Sequence, residues 1–167
     1  MKCSLIFIPA WLVVYNLQAQ LEIKAGVAFD PQSFASHVTP NPTSFIGGFG
    51  YGIPLFGKIS LKPEVLYSQY KSLYVTNRQV REFQFPLMVN IRLSRKFDIH
   101  GGVIVDKQYL SDTTTHYGTN LYIALGTGFA LHPRVRLQAR YIPEPSFGTV
   151  QLALCYITRY FTSRKDN

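Results

Sequence analysis

Two pairs of opposite charges stand two residues apart: Glu22 with Lys24, and Lys62 with Glu64. Further charges, Glu82, Arg92, Asp98, Arg136, Arg140 and Arg159, fall in segments that otherwise alternate apolar and polar residues. Side chains two apart on a strand share a face, so these ten residues are expected to share the inner face of a sheet. A charge taken out of water must be paired and hydrogen-bonded. The chemistry this predicts is a lumen charge network of salt bridges. An ion path is the other use of such a lining, and a filled interior would block it.

A second constellation is Ser111-Asp112-Thr113-Thr114-Thr115-His116, with His37 in another polar stretch and His100 two residues from Asp98. A hydroxyl, a carboxylate and an imidazole are the parts of a nucleophilic site. Such a site is defined by geometry, however, not by closeness in sequence, and polar loops are rich in Ser and Thr in any case. His100 reads as a hydrogen-bonding lumen residue. No metal-ligand spacing and no phosphate-binding loop occurs. No catalytic, metal or cofactor residue is therefore assigned, and the chain is not read as an enzyme.

The elements that must position these charges are strands. The clearest is Glu82-Phe83-Gln84-Phe85-Pro86-Leu87-Met88-Val89-Asn90-Ile91-Arg92-Leu93, where every second residue is apolar. Phe83, Phe85, Leu87, Val89 and Ile91 are expected to face lipid, and Asn90 and Arg92 the lumen. At about 12 residues it exceeds the usual globular strand, while a tilted membrane-crossing strand needs about 9–11. The same alternation recurs over residues 21–30, 44–55, 60–70, 97–106, 120–131, 135–141 and 150–161, which makes eight strands. Loops are expected at 31–43, 71–79 and 107–118, with short turns at Phe56–Ile59, Ser94–Lys96 and His132–Arg134. Long and short connections thus alternate, as they do in membrane barrels with short periplasmic turns and longer outer loops.

Composition agrees with a two-faced barrel. Charged residues are only 16 % of the 167 and aromatics 14 %, yet mean hydropathy is +0.04, because alternation averages out. No internal run is long and apolar enough for a membrane helix. The net charge of +8 comes with no basic helix and no nucleic-acid motif, so no nucleic-acid partner is expected. Residues 1–19 combine Lys2, an apolar core from Leu5 to Tyr15 and a small residue at Ala19. That is the pattern of a signal peptide, leaving 20–167 as the barrel domain. Cys155 is then the single remaining cysteine, an interior filler.

A soluble eight-stranded barrel would turn its apolar face inward. Here that face offers roughly five large residues per strand, too many for an interior that eight strands can enclose. The opposite face, built of glycine, alanine, serine and ions, fits such an interior. The expected fold is thus an all-β, eight-stranded antiparallel up-and-down transmembrane barrel. Tyr51, Tyr67, Tyr141, Tyr156 and Tyr160 would form interfacial girdles.

Ile23-Lys24-Ala25-Gly26-Val27, Lys62-Pro63-Glu64-Val65-Leu66-Tyr67-Ser68-Gln69, Phe83-Gln84-Phe85-Pro86-Leu87 and Gly126-Thr127-Gly128 together resemble the PorT-like outer-membrane β-barrel family of Bacteroidota. The resemblance runs over the mature chain. It implies the barrel fold and a place in the outer membrane of a Gram-negative bacterium, with a link to secretion machinery as its finer implication. The expected role is structural or one of interaction through the outer loops, with outer-membrane lipid and proteins as partners and no oligomeric state specified. A lipid-modifying enzyme working near His116, or a narrow channel, is the alternative.

Overall fold

The computed structural model describes residues 20–29, 44–72, 78–110, 116–143 and 148–159. Residues 1–19, where the signal peptide is expected, lie outside them, as do His37 and the run from Ser111 to Thr115. The described chain is eight strands: β1 (Gln20–Phe29), β2 (Ser44–Phe56), β3 (Ile59–Ser72), β4 (Arg78–Arg92), β5 (Phe97–Leu110), β6 (His116–His132), β7 (Val135–Ile142) and β8 (Thr149–Arg159). Each pairs antiparallel with its sequence neighbours, and β1 closes against β8 over Gln20–Phe29 and Val150–Arg159. The result is a closed up-and-down barrel with no free edge.

The period of two sorts the side chains. On β4, Phe83, Phe85, Leu87, Val89 and Ile91 are exposed on the outer wall, while Gln84, Pro86, Met88 and Asn90 are buried. Aromatic and β-branched residues crowd that outer wall, where they suit a pleated surface. Closing eight strands brings neighbouring backbones close together. A Cβ on Gly102 would meet the Leu87 carbonyl oxygen and sit 2.8 Å from the Met88 Cα, so only glycine fits.

Three tight connections lie at one end. Gly57 turns β2 into β3 with φ +55°, a left-handed conformation that favours glycine. The Ser94 hydroxyl accepts from the amides of Lys96 (3.2 Å) and Phe97 (3.0 Å) to close β4–β5. Pro133 and Arg134 join β6 to β7. The prolines inside strands are tolerated where the ladder breaks. The β2–β3 register skips Tyr51 and Gly52 opposite Lys62 and Pro63, and the β3–β4 register skips Phe85 and Pro86 opposite Glu64 and Val65.

The expected loops at 71–79 and 107–118 are corrected. Pairing continues to Lys71↔Gln79 and Ser72↔Arg78, and from Lys107↔Thr119 to Tyr109↔His116. The connections shrink to 73–77 and 111–115. Above the apolar band both faces of a strand are polar, so the alternation fades while the backbone ladder runs on. His116 therefore begins a strand and does not sit in a loop.

Candidate functional site

The largest group of inward charges lies on β1, β3 and β7. Lys24 on β1 meets the Glu64 carboxylate on β3 and donates to Gln138 Oε1 on β7 at 2.9 Å. Glu64 also accepts from Arg140 Nη2 on β7 at 2.8 Å. Lys62 Nζ lies 2.5 Å from Glu22 Oε1, and Glu22 Oε2 is 3.7 Å from Lys24. These side chains are almost wholly withdrawn from solvent, where a unit charge is stable only with such partners.

In an eight-stranded barrel β3 and β7 stand opposite one another. So do β4 and β8. The Glu64–Arg140 bond and a second bond, from Gln151 Nε2 on β8 to Gln84 Oε1 on β4 at 2.9 Å, therefore cross the whole lumen. Between them a small cavity beside Lys24, Arg140 and Gln151 has room for about one water.

The remaining expected lumen residues divide four ways. Asp98 is fully buried and pairs with Arg136 Nη1 at 2.6 Å, with His100 Nδ1 3.8 Å away. Gly126 and Gly128 on β6 make that possible. A Cβ on Gly128 would stand 2.6 Å from an Asp98 oxygen, and one on Gly126 would run into the His100 ring. Glu82 is corrected in its partners: it is held by the neutral donors Ser68 Oγ (2.8 Å) and Gln84 Nε2 (3.0 Å), with no ion pair to a described cation. Arg92 is corrected in its place. It has the inward parity but ends β4 at the rim, exposed, and Asp98, opposite it in the register, turns to Arg136 instead. Water solvates a rim cation at no cost, so nothing draws Arg92 inside. The side chain of Arg159 lies outside the described part of β8.

Several further residues have inward parity in the sequence but no role written there. Gln138, Gln84 and Gln151 supply bridging amides, and Asp106, fully buried, accepts from Asn120 N and Gln108 Nε2, both at 2.9 Å. The interior is also less uniformly small and polar than expected. Met88, Ile104, Ala124 and Ile142 form an apolar cluster across β4 to β7, and Ala28, Ile46 and Ala153 form another across β1, β2 and β8. Parity with neighbouring inward residues was the only signal for them. Cys155 is buried among the lumen residues.

The outer wall is the second surface. Tyr67, Phe83 and Tyr109 pack across β3, β4 and β5, tilted and edge-to-face, with centroids 5.2 Å and 6.2 Å apart. Outward Gln69, Arg81, Lys107 and Thr119 succeed the apolar residues there. Tyr67, Tyr141 and Tyr156 are exposed, Tyr51 half-buried, and Tyr160 lies outside the described residues.

No family model matches the chain, and no curated protein does. Solved structures do. The designed transmembrane barrel TMB2.3 aligns at TM-score 0.56 and 17 % identity, over 85 % of this chain and 96 % of that one. Neisserial surface protein A aligns at 0.52 and 12 %, over 85 % and 96 %. The Yersinia pestis outer membrane protein Ail, in a phospholipid nanodisc, aligns at 0.52 and 13 %, over 84 % and 99 %. At these identities the likeness is one of fold: the chain folds as a small eight-stranded transmembrane β-barrel, of the kind found in outer-membrane proteins.

Proposed function

We propose that this chain is an outer-membrane barrel with a sealed lumen, whose work is done at its ends and on its wall. The observation that carries this is the pair of cross-lumen bonds, Glu64–Arg140 and Gln84–Gln151. Bonds between opposite walls at two levels leave no continuous path for an ion, which argues against the channel alternative. The role that remains is structural or one of interaction at the outer end, where β3 to β6 stay paired past the apolar band. Rigid scaffolds that present connections to solvent commonly serve recognition. The PorT-like resemblance supports the placement in a Bacteroidota outer membrane after removal of residues 1–19. The link to secretion machinery rests on that resemblance alone.

The test is photo-crosslinking in the native bacterium, with a probe at Gln79 at the outer end and another at Val103 in mid-wall. A discrete protein adduct at Gln79 and only lipid at Val103 is the expected result. Lipid alone at both positions refutes an interaction role. Unitary conductance of the refolded protein in a planar bilayer would restore the channel, and lipid turnover lost in His116→Ala would restore the enzyme.

A further inference from the structure

All five carboxylates of the described strands, Glu22, Glu64, Glu82, Asp98 and Asp106, belong to the inner face. The charged groups of the described outer surface are thus all cations. At the short-turn end they follow a rule. Each tight turn places an exposed cation just before the next strand begins: Lys58 before β3, Lys96 before β5 and Arg134 before β7. The carbonyl of each is fixed by an amide of the strand beyond: Lys58 O accepts from Arg92 N (2.9 Å), Lys96 O from Ala130 N (2.7 Å) and Arg134 O from Ile157 N (2.8 Å). Each cation also stands within three residues of an exposed apolar side chain, Phe56 at 70 %, Phe97 at 40 % and Leu131 at 57 %.

We propose that Lys58, Lys96 and Arg134 form a ring of headgroup sites that hold the phosphates of anionic phospholipids in the leaflet around the short-turn end. The inference rests on the membrane-spanning reading. An apolar side chain beside each cation sets it at the boundary of the hydrocarbon, the depth of the phosphates. The three turns are spread around the barrel at every second strand junction, so the ligand must surround the wall. A protein partner would meet a patch on one side; an annulus of lipid meets a ring. Braced backbones hold the cations near their positions before lipid arrives, which lowers the ordering cost of binding.

The chain has one tryptophan, Trp11, so a Trp11→Phe background makes a single introduced tryptophan a local reporter. Phe56→Trp, beside Lys58 and Arg92, is read by quenching in phosphatidylcholine vesicles containing brominated phosphatidylglycerol or brominated phosphatidylcholine at equal fractions. The expected result is about a fivefold preference for the anionic lipid per cation engaged, fading at about 1 M salt. Lys58→Gln with Arg92→Gln should abolish it at this reporter. Leu131→Trp with Arg134→Gln repeats the test at a second turn, should either variant of the first fail to fold. Equal quenching by the two lipids overturns the inference while leaving the barrel in the membrane, and so does a preference that survives the glutamine substitutions. No quenching by either lipid overturns the membrane reading as well.

Discussion

Removing the Glu64 carboxylate should do more harm than removing Glu64 and Arg140 together. Glu64 is the acid that Lys24 and Arg140 share, with side-chain exposures of 1 %, 3 % and 5 % for the three. Glu64→Gln leaves both cations buried. Lys24 retains Gln138 at 2.9 Å and Glu22 at 3.7 Å, but no other ion pair to Arg140 is found among the described residues. Stranding one member of a buried pair costs about 3–5 kcal/mol. Arg140→Met alone leaves Glu64 with Lys24, so it loses one charge-assisted hydrogen bond, about 1.5–3 kcal/mol. The double variant removes the stranded guanidinium and substitutes an apolar chain of similar length, an exchange that is often neutral. It should therefore be more stable than Glu64→Gln by about 3 kcal/mol, the lower end of the cost of a stranded buried charge, since Lys24 still lacks Glu64 in both. The assay is reversible urea unfolding in phosphatidylcholine vesicles, followed by far-ultraviolet circular dichroism. A double variant less stable than Glu64→Gln, with additive losses, would mean that the two residues do not meet across the lumen, and the sealed interior would fall with them.

Three further outcomes follow from the same geometry. Leu87→Arg puts a cation in the middle of the apolar band and should cost about 2–4 kcal/mol in the same unfolding assay; a neutral result in a protein soluble without detergent would show that the outer wall never meets lipid. Arg92→Ala should change stability by less than about 0.5 kcal/mol, as exposed substitutions do, and a loss of several times that would place Arg92 in the buried network after all. Gly128→Val drives side-chain atoms into the Asp98 carboxylate and should destabilise by about 1–3 kcal/mol; pairing it with Asp98→Ala should recover part of that loss, and no recovery would separate Gly128 from Asp98.

How much of this was legible depended on which physical rule governed each residue. The outer face of β4 could be read residue by residue, because lipid demands an apolar side chain at every second position and a slip of one residue would reverse the strand. The ends of β3 to β6 could not. Beyond the band, Lys107 and Gln108 on β5, or Thr119 and Asn120 on β6, are polar on both faces, and only backbone pairing shows that the strand continues. The lumen charges were visible as a set but their partners were not. Arg92 and Asp98 are opposite in register and look matched, yet one lies at a wet rim and the other is buried beside Arg136. Pairing within a barrel depends on depth and on strands two or four places away, and neither is written in local spacing. Ile104 and Ile142 illustrate the converse. They share parity with ions, and an interior crossed by a few salt bridges still needs aliphatic volume to fill it.

One parity rule keeps every acid of the described strands off the outer wall. Every described carboxylate faces inward, so the lumen network has its acids at hand, and the described outer wall shows no acid to lipid. The separation is sharpest at the outer end. There Glu82 and Asp106 sit on the inner face of β4 and β5, while Arg81 and Lys107, each one residue away, point outward. A ligand entering that mouth and a lipid lying against its wall therefore meet opposite charges within a single strand's thickness. A shift of one residue in the β4 register would carry Glu82 outward and bring Phe83 into the mouth. It would cost the network an acid and put that acid against lipid headgroups at the same time. The two surfaces thus guard the same register, and a change that favours one cannot be made without the other.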